Sequence, residues 1–215
     1  MPLNFTLLPA LLGLGTGLSL IVAIGAQNAY LLRLGVVAAR RILLSAVLLC
    51  ALSDAILITA GTLGVGAVLQ RAPMLMVIIR AVGAIFLIVY GGLSAKRAIR
   101  PKGEAIAVPA EGEGSGIRWG TAIATVAAFT WLNPHAYLDT LVFLGSIASE
   151  QAPAARWWWV GGAICASFLW FAVLGFGSRF LRPLFSKPIA WRILDAVTAA
   201  MMFGIAIEII VTSHA

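Results

Sequence analysis

The chain has 215 residues, 61% of them hydrophobic and only 11% charged, with a mean hydropathy of +1.02. An average soluble domain carries roughly 45–50% apolar and about 25% charged residues, so this composition excludes a soluble enzyme and points to an integral membrane protein. The net charge of +7 does not mark a nucleic-acid binder, because no basic patch accompanies a soluble domain.

A membrane-spanning helix needs roughly 20 mostly apolar residues, and six stretches qualify: about 7–32, 42–69, 74–95, 119–147, 157–178 and 190–211. They predict an all-α polytopic bundle of six transmembrane helices. Little chain is left for a catalytic domain, and no cofactor motif or metal-ligand spacing stands out. Any chemistry must then lie inside the bundle or in its short loops.

The first span lacks a preceding Lys or Arg, so Ile24-Gly25-Ala26 does not read as the cleavage site of a secretory leader. Gly13 and Gly17, four residues apart, suit close helix approach. The span ends in Gly25-Ala26-Gln27-Asn28-Ala29-Tyr30-Leu31-Leu32-Arg33. Gln27 and Asn28 there need a reason, since an unsatisfied polar group in hydrocarbon costs several kcal/mol. They either face a transport pathway or bond between helices.

Span two carries Asp54, thirteen positions after Arg41 and therefore near mid-membrane at about 1.5 Å per residue. A central aspartate costs around 2.5–3.5 kcal/mol on insertion scales, so it must pair, protonate or bind a cation. In span three, Arg80 lies roughly 10 Å from the outer edge and is the expected partner of Asp54. A purely structural ion pair between them is the plainer alternative. The loop 96–118, with Pro101, Pro109, Gly112, Gly114 and Gly116, reads as a flexible linker.

Span four contains Trp131-Leu132-Asn133-Pro134-His135-Ala136-Tyr137-Leu138-Asp139. Pro134 lacks an N–H and clashes with the carbonyl four residues earlier, which frees the Thr130 carbonyl. Asn133 before it is biased away from helical geometry. The exposed backbone, Asn133 and His135 form a candidate ammonium site, with Asp139 one turn further on and His135 a possible proton relay. A kink healed by Thr130 or a neighbouring helix is the plainer alternative. Trp157, Trp158 and Trp159 open span five and Trp191 opens span six, both at membrane edges where Trp is favoured. Asp195, three residues past Arg192, is expected near the headgroups.

Twelve of the fifteen Lys and Arg residues fall on one side of this topology: Arg33, Arg40 and Arg41; Lys96, Arg97, Arg100, Lys102 and Arg118; Arg179, Arg182, Lys187 and Arg192. The positive-inside rule makes that side cytoplasmic and places both termini outside. The linker divides the chain into 1–95 and 119–215, each with three spans, and an odd number inverts the second half. Ala29-Tyr30-Leu31 recurs as Ala136-Tyr137-Leu138, Cys50-Ala51 as Cys165-Ala166, and Ala81-Val82-Gly83-Ala84 resembles Ala196-Val197-Thr198-Ala199. The expected architecture is a 3+3 inverted repeat with an interrupted helix in each half, an arrangement that commonly sets the substrate site near the midplane.

Together, Gly25 to Gly35, Asp54 and Trp131 to Thr140 resemble the LysE-type family of L-lysine and L-arginine exporters over nearly the whole chain. Related exporters of neutral amino acids typically have Pro-Gly-Pro in the first span, where this chain has Ala26-Gln27-Asn28. The resemblance implies a homodimer in the bacterial cytoplasmic membrane that exports basic amino acids, driven by the proton-motive force. A substrate of charge +1 leaves against about 2.3 kcal/mol per 100 mV, so export needs a counter-moving ion. Asp54, holding either substrate or proton, would supply exchange by competition, with Arg80 beside it and Gln27, Asn28, Asn133 and the Thr130 carbonyl orienting the substrate. Export of a neutral amino acid or another small cation is one alternative. A thiol relay through Cys50 and Cys165 is another, although neither has a basic neighbour to activate it.

Overall fold

The computed structural model describes residues 6–22, 25–66, 73–99 and 117–212. Most of the linker, the chain ends, Arg71, Arg100 and Lys102 therefore lie outside the described residues. The first half contains α1 (Leu7–Ile21), α2 (Ala26–Val37), α3 (Arg40–Thr62) and α4 (Pro73–Ile99). The second contains α5 (Trp119–Trp131), then a rod of α6 (Pro134–Ala136), a π-helical stretch (Tyr137–Leu144) and α7 (Gly145–Glu150). There follow α8 (Pro153–Gly177), a 3₁₀ turn (Ser178–Leu181), α9 (Arg182–Phe185) and α10 (Pro188–Thr212). Each half is thus a broken helix followed by two long ones.

Local chemistry sets these boundaries. Pro73, Pro134, Pro153 and Pro188 each open a helix, where the missing N–H is no loss and the fixed φ is already helical. After α3 the chain turns at Gly64, whose φ of +91° is the left-handed conformation that a helix C-terminus reserves for glycine. Arg182 donates to the Val36 carbonyl at 3.1 Å, so a cation closes the C-terminal end of α2, as the helix dipole favours.

Helix association in lipid relies on close packing, which small residues permit. Gly17 of α1 meets α8 so closely that a Cβ there would sit 2.9 Å from the Ala166 methyl, and Gly13 lies against the Trp159 backbone. Gly61 and Gly145 press α3 onto the rod, where a Cβ on Gly145 would come within 2.5 Å of the Gly61 backbone. Outward faces are apolar: Val77, Ile78, Val82, Ile85 and Val89 of α4 are exposed, as are Ile193, Val197 and Ile207 of α10. α1 and α2 pack on α8, while α5 and the rod pack on α3; α3 also meets α8, and α4 meets α10. Exchanging the halves maps these contacts onto one another.

Four described helices are long and apolar enough to cross a bilayer, with a fifth crossing if α1 and α2, bent by 87°, form one. The remaining expected span is divided between α5 and the rod, each shorter than a crossing. Two expected interfacial tryptophans are instead internal. Trp159 is buried in a cluster with Ile58, Leu144 and Ala163, and Trp191 donates to the Phe185 carbonyl at 2.7 Å.

Candidate functional site

Asp54 lies in the middle of α3 and is only 6% exposed. Its Oδ2 accepts a hydrogen bond from Ser167 Oγ of α8 at 2.9 Å, where α3 and α8 meet. Cys50, one turn earlier on α3, is fully buried, and the Gln27 side chain of α2 lies near its thiol without a hydrogen bond to it. Gln27 Nε2 is buried without a hydrogen-bond partner. A buried amide donor left open is costly, and here it belongs to the second residue of α2, just after the helix break, which suits a polar or anionic group of a bound solute.

Asn28 performs a different task. Its Nδ2 donates to the Ile21 carbonyl at 3.0 Å, and its Oδ1 accepts from Trp170 Nε1 at 3.4 Å. It therefore splices the two pieces of the broken helix and ties them to α8. The second break is built the same way: Tyr137 Oη donates to the Trp131 carbonyl at 2.8 Å. In both halves a side chain from the restarted helix satisfies the carbonyl of the last residue before the break.

The break in span four is more complete than a proline kink. α5 ends at Trp131, Asn133 is extended, and Pro134 is the first residue of a new helix. Asn133 Oδ1 accepts from the His135 N–H at 3.1 Å, so this side chain is a helix cap and is not held out toward a substrate. Thr130 is fully buried, and its hydroxyl donates to the Val126 carbonyl at 3.1 Å. Pro134 packs under α4, its ring 3.2 Å from where a Cβ on Gly83 would lie. His135 Nε2 stands 3.7 Å from Glu208 Oε2 of α10, and exposed Asp139 lies near both.

The second motif reaches α3 through Trp131, whose Nε1 donates to Ser53 Oγ, the residue before Asp54, at 3.1 Å. Arg80 does not join them. Among the described residues no ion pair links Arg80 to Asp54, whose partner is Ser167. The packing partner of α4 was not legible in the sequence: Arg80 is on α4, which packs chiefly on α10.

A second polar cluster occupies the end of the bundle that carries the basic loops. Asp195 of α10 is 5% exposed, and its Oδ1 accepts from Arg33 Nη1 at 2.7 Å and Arg97 Nε at 3.1 Å. Asp195 is thus the buried centre of an ion triad joining α2, α4 and α10, with the Arg97 side chain partly exposed. Ser167, Trp170 and this triad escaped the sequence reading. Their available signal was a charge or hydroxyl on an inward stripe of small residues, such as Gly162, Ala163, Ala166 and Ser167.

Apolar helices outside, buried polar groups inside and a break in each half define a polytopic helical membrane protein. The chain belongs to the LysE type translocator family, whose profile matches residues 18–213. It is 43% identical over 196 residues to a putative amino-acid transporter of Mycobacterium tuberculosis, covering 91% of this chain and 94% of that protein. It is 37% identical over 217 residues to the lysine exporter LysE of Corynebacterium diphtheriae, covering 90% and 94%. It is also 37% identical over 197 residues to the arginine exporter protein ArgO of Yersinia enterocolitica, covering 92% and 93%. No solved structure matches the chain significantly.

Proposed function

We propose that this chain exports the basic amino acids lysine and arginine from the bacterial cytoplasm in exchange for protons. The observation that carries the proposal is the buried Asp54, bonded to Ser167 of α8. Among the described residues no cation pairs with this carboxylate; inside a membrane such a group is stabilised by a substrate cation or by a proton, and one group that takes either exchanges them. The names of the lysine and arginine exporters among its relatives agree with a cationic substrate.

Gln27 and the backbone at the two breaks are assigned to orienting the amino acid, with Asn28, Asn133, Pro134 and Thr130 shaping those breaks. His135 and Asp139, beside Glu208, are assigned to the proton's route on the opposite side from the basic loops. The matching order and packing of the two halves support a 3+3 inverted repeat spanning the membrane six times. The one-sided basic residues support cytoplasmic loops there and external termini. A homodimer is carried over from the family resemblance alone.

The test is efflux from proteoliposomes loaded with labelled lysine, arginine or threonine under an imposed pH gradient. Lysine and arginine are expected to leave faster than threonine, with the gradient accelerating them. Equal efflux of all three, or none of the basic pair, would overturn the proposal.

A further inference from the structure

Resting on that reading, we propose that Arg33 and Arg97 form a subsite for the substrate's α-carboxylate, occupied by Asp195 until the substrate displaces it. Both guanidinium groups converge on one oxygen, Asp195 Oδ1. Two cations then share one anion, so the triad holds an excess charge of +1. A guanidinium has five donors, and beyond Asp195 the described bond of this pair is Arg97 Nη2 to Ser94 Oγ at 2.8 Å. Among the described residues no hydrogen bond falls on Asp195 Oδ2.

Both arginines are held in place by aromatic rings. Arg33 lies 5.4 Å from the Trp191 ring centre and Arg97 lies 5.6 Å from that of Tyr90, distances at which a cation is attracted to the ring face. A cavity of about 10 Å³ adjoins the triad, lined by Tyr30, Arg33, Tyr90, Arg97, Asp195 and Thr198. That is room for about one water, too little for a carboxylate beside Asp195, so an incoming one must take the place of the resident one.

The exchange is electrostatically balanced. A substrate carboxylate replaces the Asp195 carboxylate on the same donors, and Asp195 becomes free to receive the substrate's α-ammonium group. Neither guanidinium is left unpaired, which avoids the large penalty of an uncompensated buried charge. The planar fork of Arg suits carboxylate recognition, and the triad joins α2, which begins at a helix break, to the α4–α10 pair. Substrate entry is thereby linked to separation of those elements.

The test measures displacement of labelled lysine from the purified full-length protein by lysine, by cadaverine, which lacks the carboxylate, and by 6-aminohexanoate, which lacks the α-ammonium. Lysine is expected to compete at least about tenfold better than cadaverine, the scale of one hydrogen bond to a charged group. Arg33→Gln and Arg97→Gln should each shrink that gap with cadaverine binding retained. Asp195→Asn should strengthen competition by 6-aminohexanoate, because the resident rival carboxylate is gone, and a merely structural bridge gives no such gain. Equal competition by lysine and cadaverine on the wild-type protein would overturn the subsite without needing any variant, as would a gap that persists in both arginine variants. If the wild type binds neither lysine nor arginine, the exporter reading falls and the subsite with it.

Discussion

Asp54 and Ser167 are both buried, so their hydrogen bond matters more than it would on a surface. Ser167→Ala removes that donor and leaves the carboxylate in place. A hydrogen bond to a charged group contributes about 1.5–3 kcal/mol, so lysine efflux is expected to change by roughly tenfold with insertion unaltered. An efflux assay normalised to membrane-inserted protein checks this, and wild-type kinetics would separate Ser167 from the site. Asp54 was legible in the sequence because a lone charge in an apolar helix announces itself. Its partner was not, because a hydroxyl in a membrane helix is common and Arg80 offered a stronger but wrongly facing candidate. Asp195 was hidden for a related reason: its partners, Arg33 and Arg97, lie 162 and 98 positions away in the chain.

At the scale of elements, two features carry the account: the helix breaks and the glycine contacts. Pro134 was the visible sign of a break, yet Asn133 caps the new helix independently of it. Pro134→Ala alone is therefore expected to keep the break and most transport, while the double change with Asn133→Ala closes it and abolishes transport. Loss of the cap alone should cost about 1 kcal/mol, read as a lower unfolding midpoint. The break at 22–25 had no proline to reveal it, and only the polar pair Gln27 and Asn28 marked its place. Among the glycines, Gly61 meets backbone and Gly204 meets nothing within 4 Å. Gly61→Ala should destabilise by about 1–3 kcal/mol, the usual cost of overpacking, and Gly204→Ala should leave the midpoint unchanged. Equal effects of the two would remove the close α3–rod contact from the account.

For the molecule as a whole, the sequence showed the class of protein plainly, because nothing but lipid suits so apolar a chain. It showed much of the helix order too, although among the described residues four helices are long and apolar enough to cross a bilayer, or five if α1 and α2 form one span, where the sequence suggested six. Packing partners were not legible, since helices that are apolar all round give no preferred face to read. The proposed inverted arrangement makes a definite statement about sidedness. An impermeant thiol reagent should label a Gly112→Cys variant in opened but not in intact cells, and labelling in intact cells would reverse the orientation.

The central claim is that one carboxylate exchanges a cationic amino acid for a proton, and the most direct measurement follows lysine and proton movement together in vesicles containing wild-type or Asp54→Asn protein. The wild type should move protons inward as lysine leaves against an inside-negative potential. Asp54→Asn, inserted to the same level, should lose at least about tenfold of that coupled efflux, a factor equivalent to about 1.4 kcal/mol. Concentrative, proton-linked lysine efflux at the wild-type rate in Asp54→Asn would contradict the account.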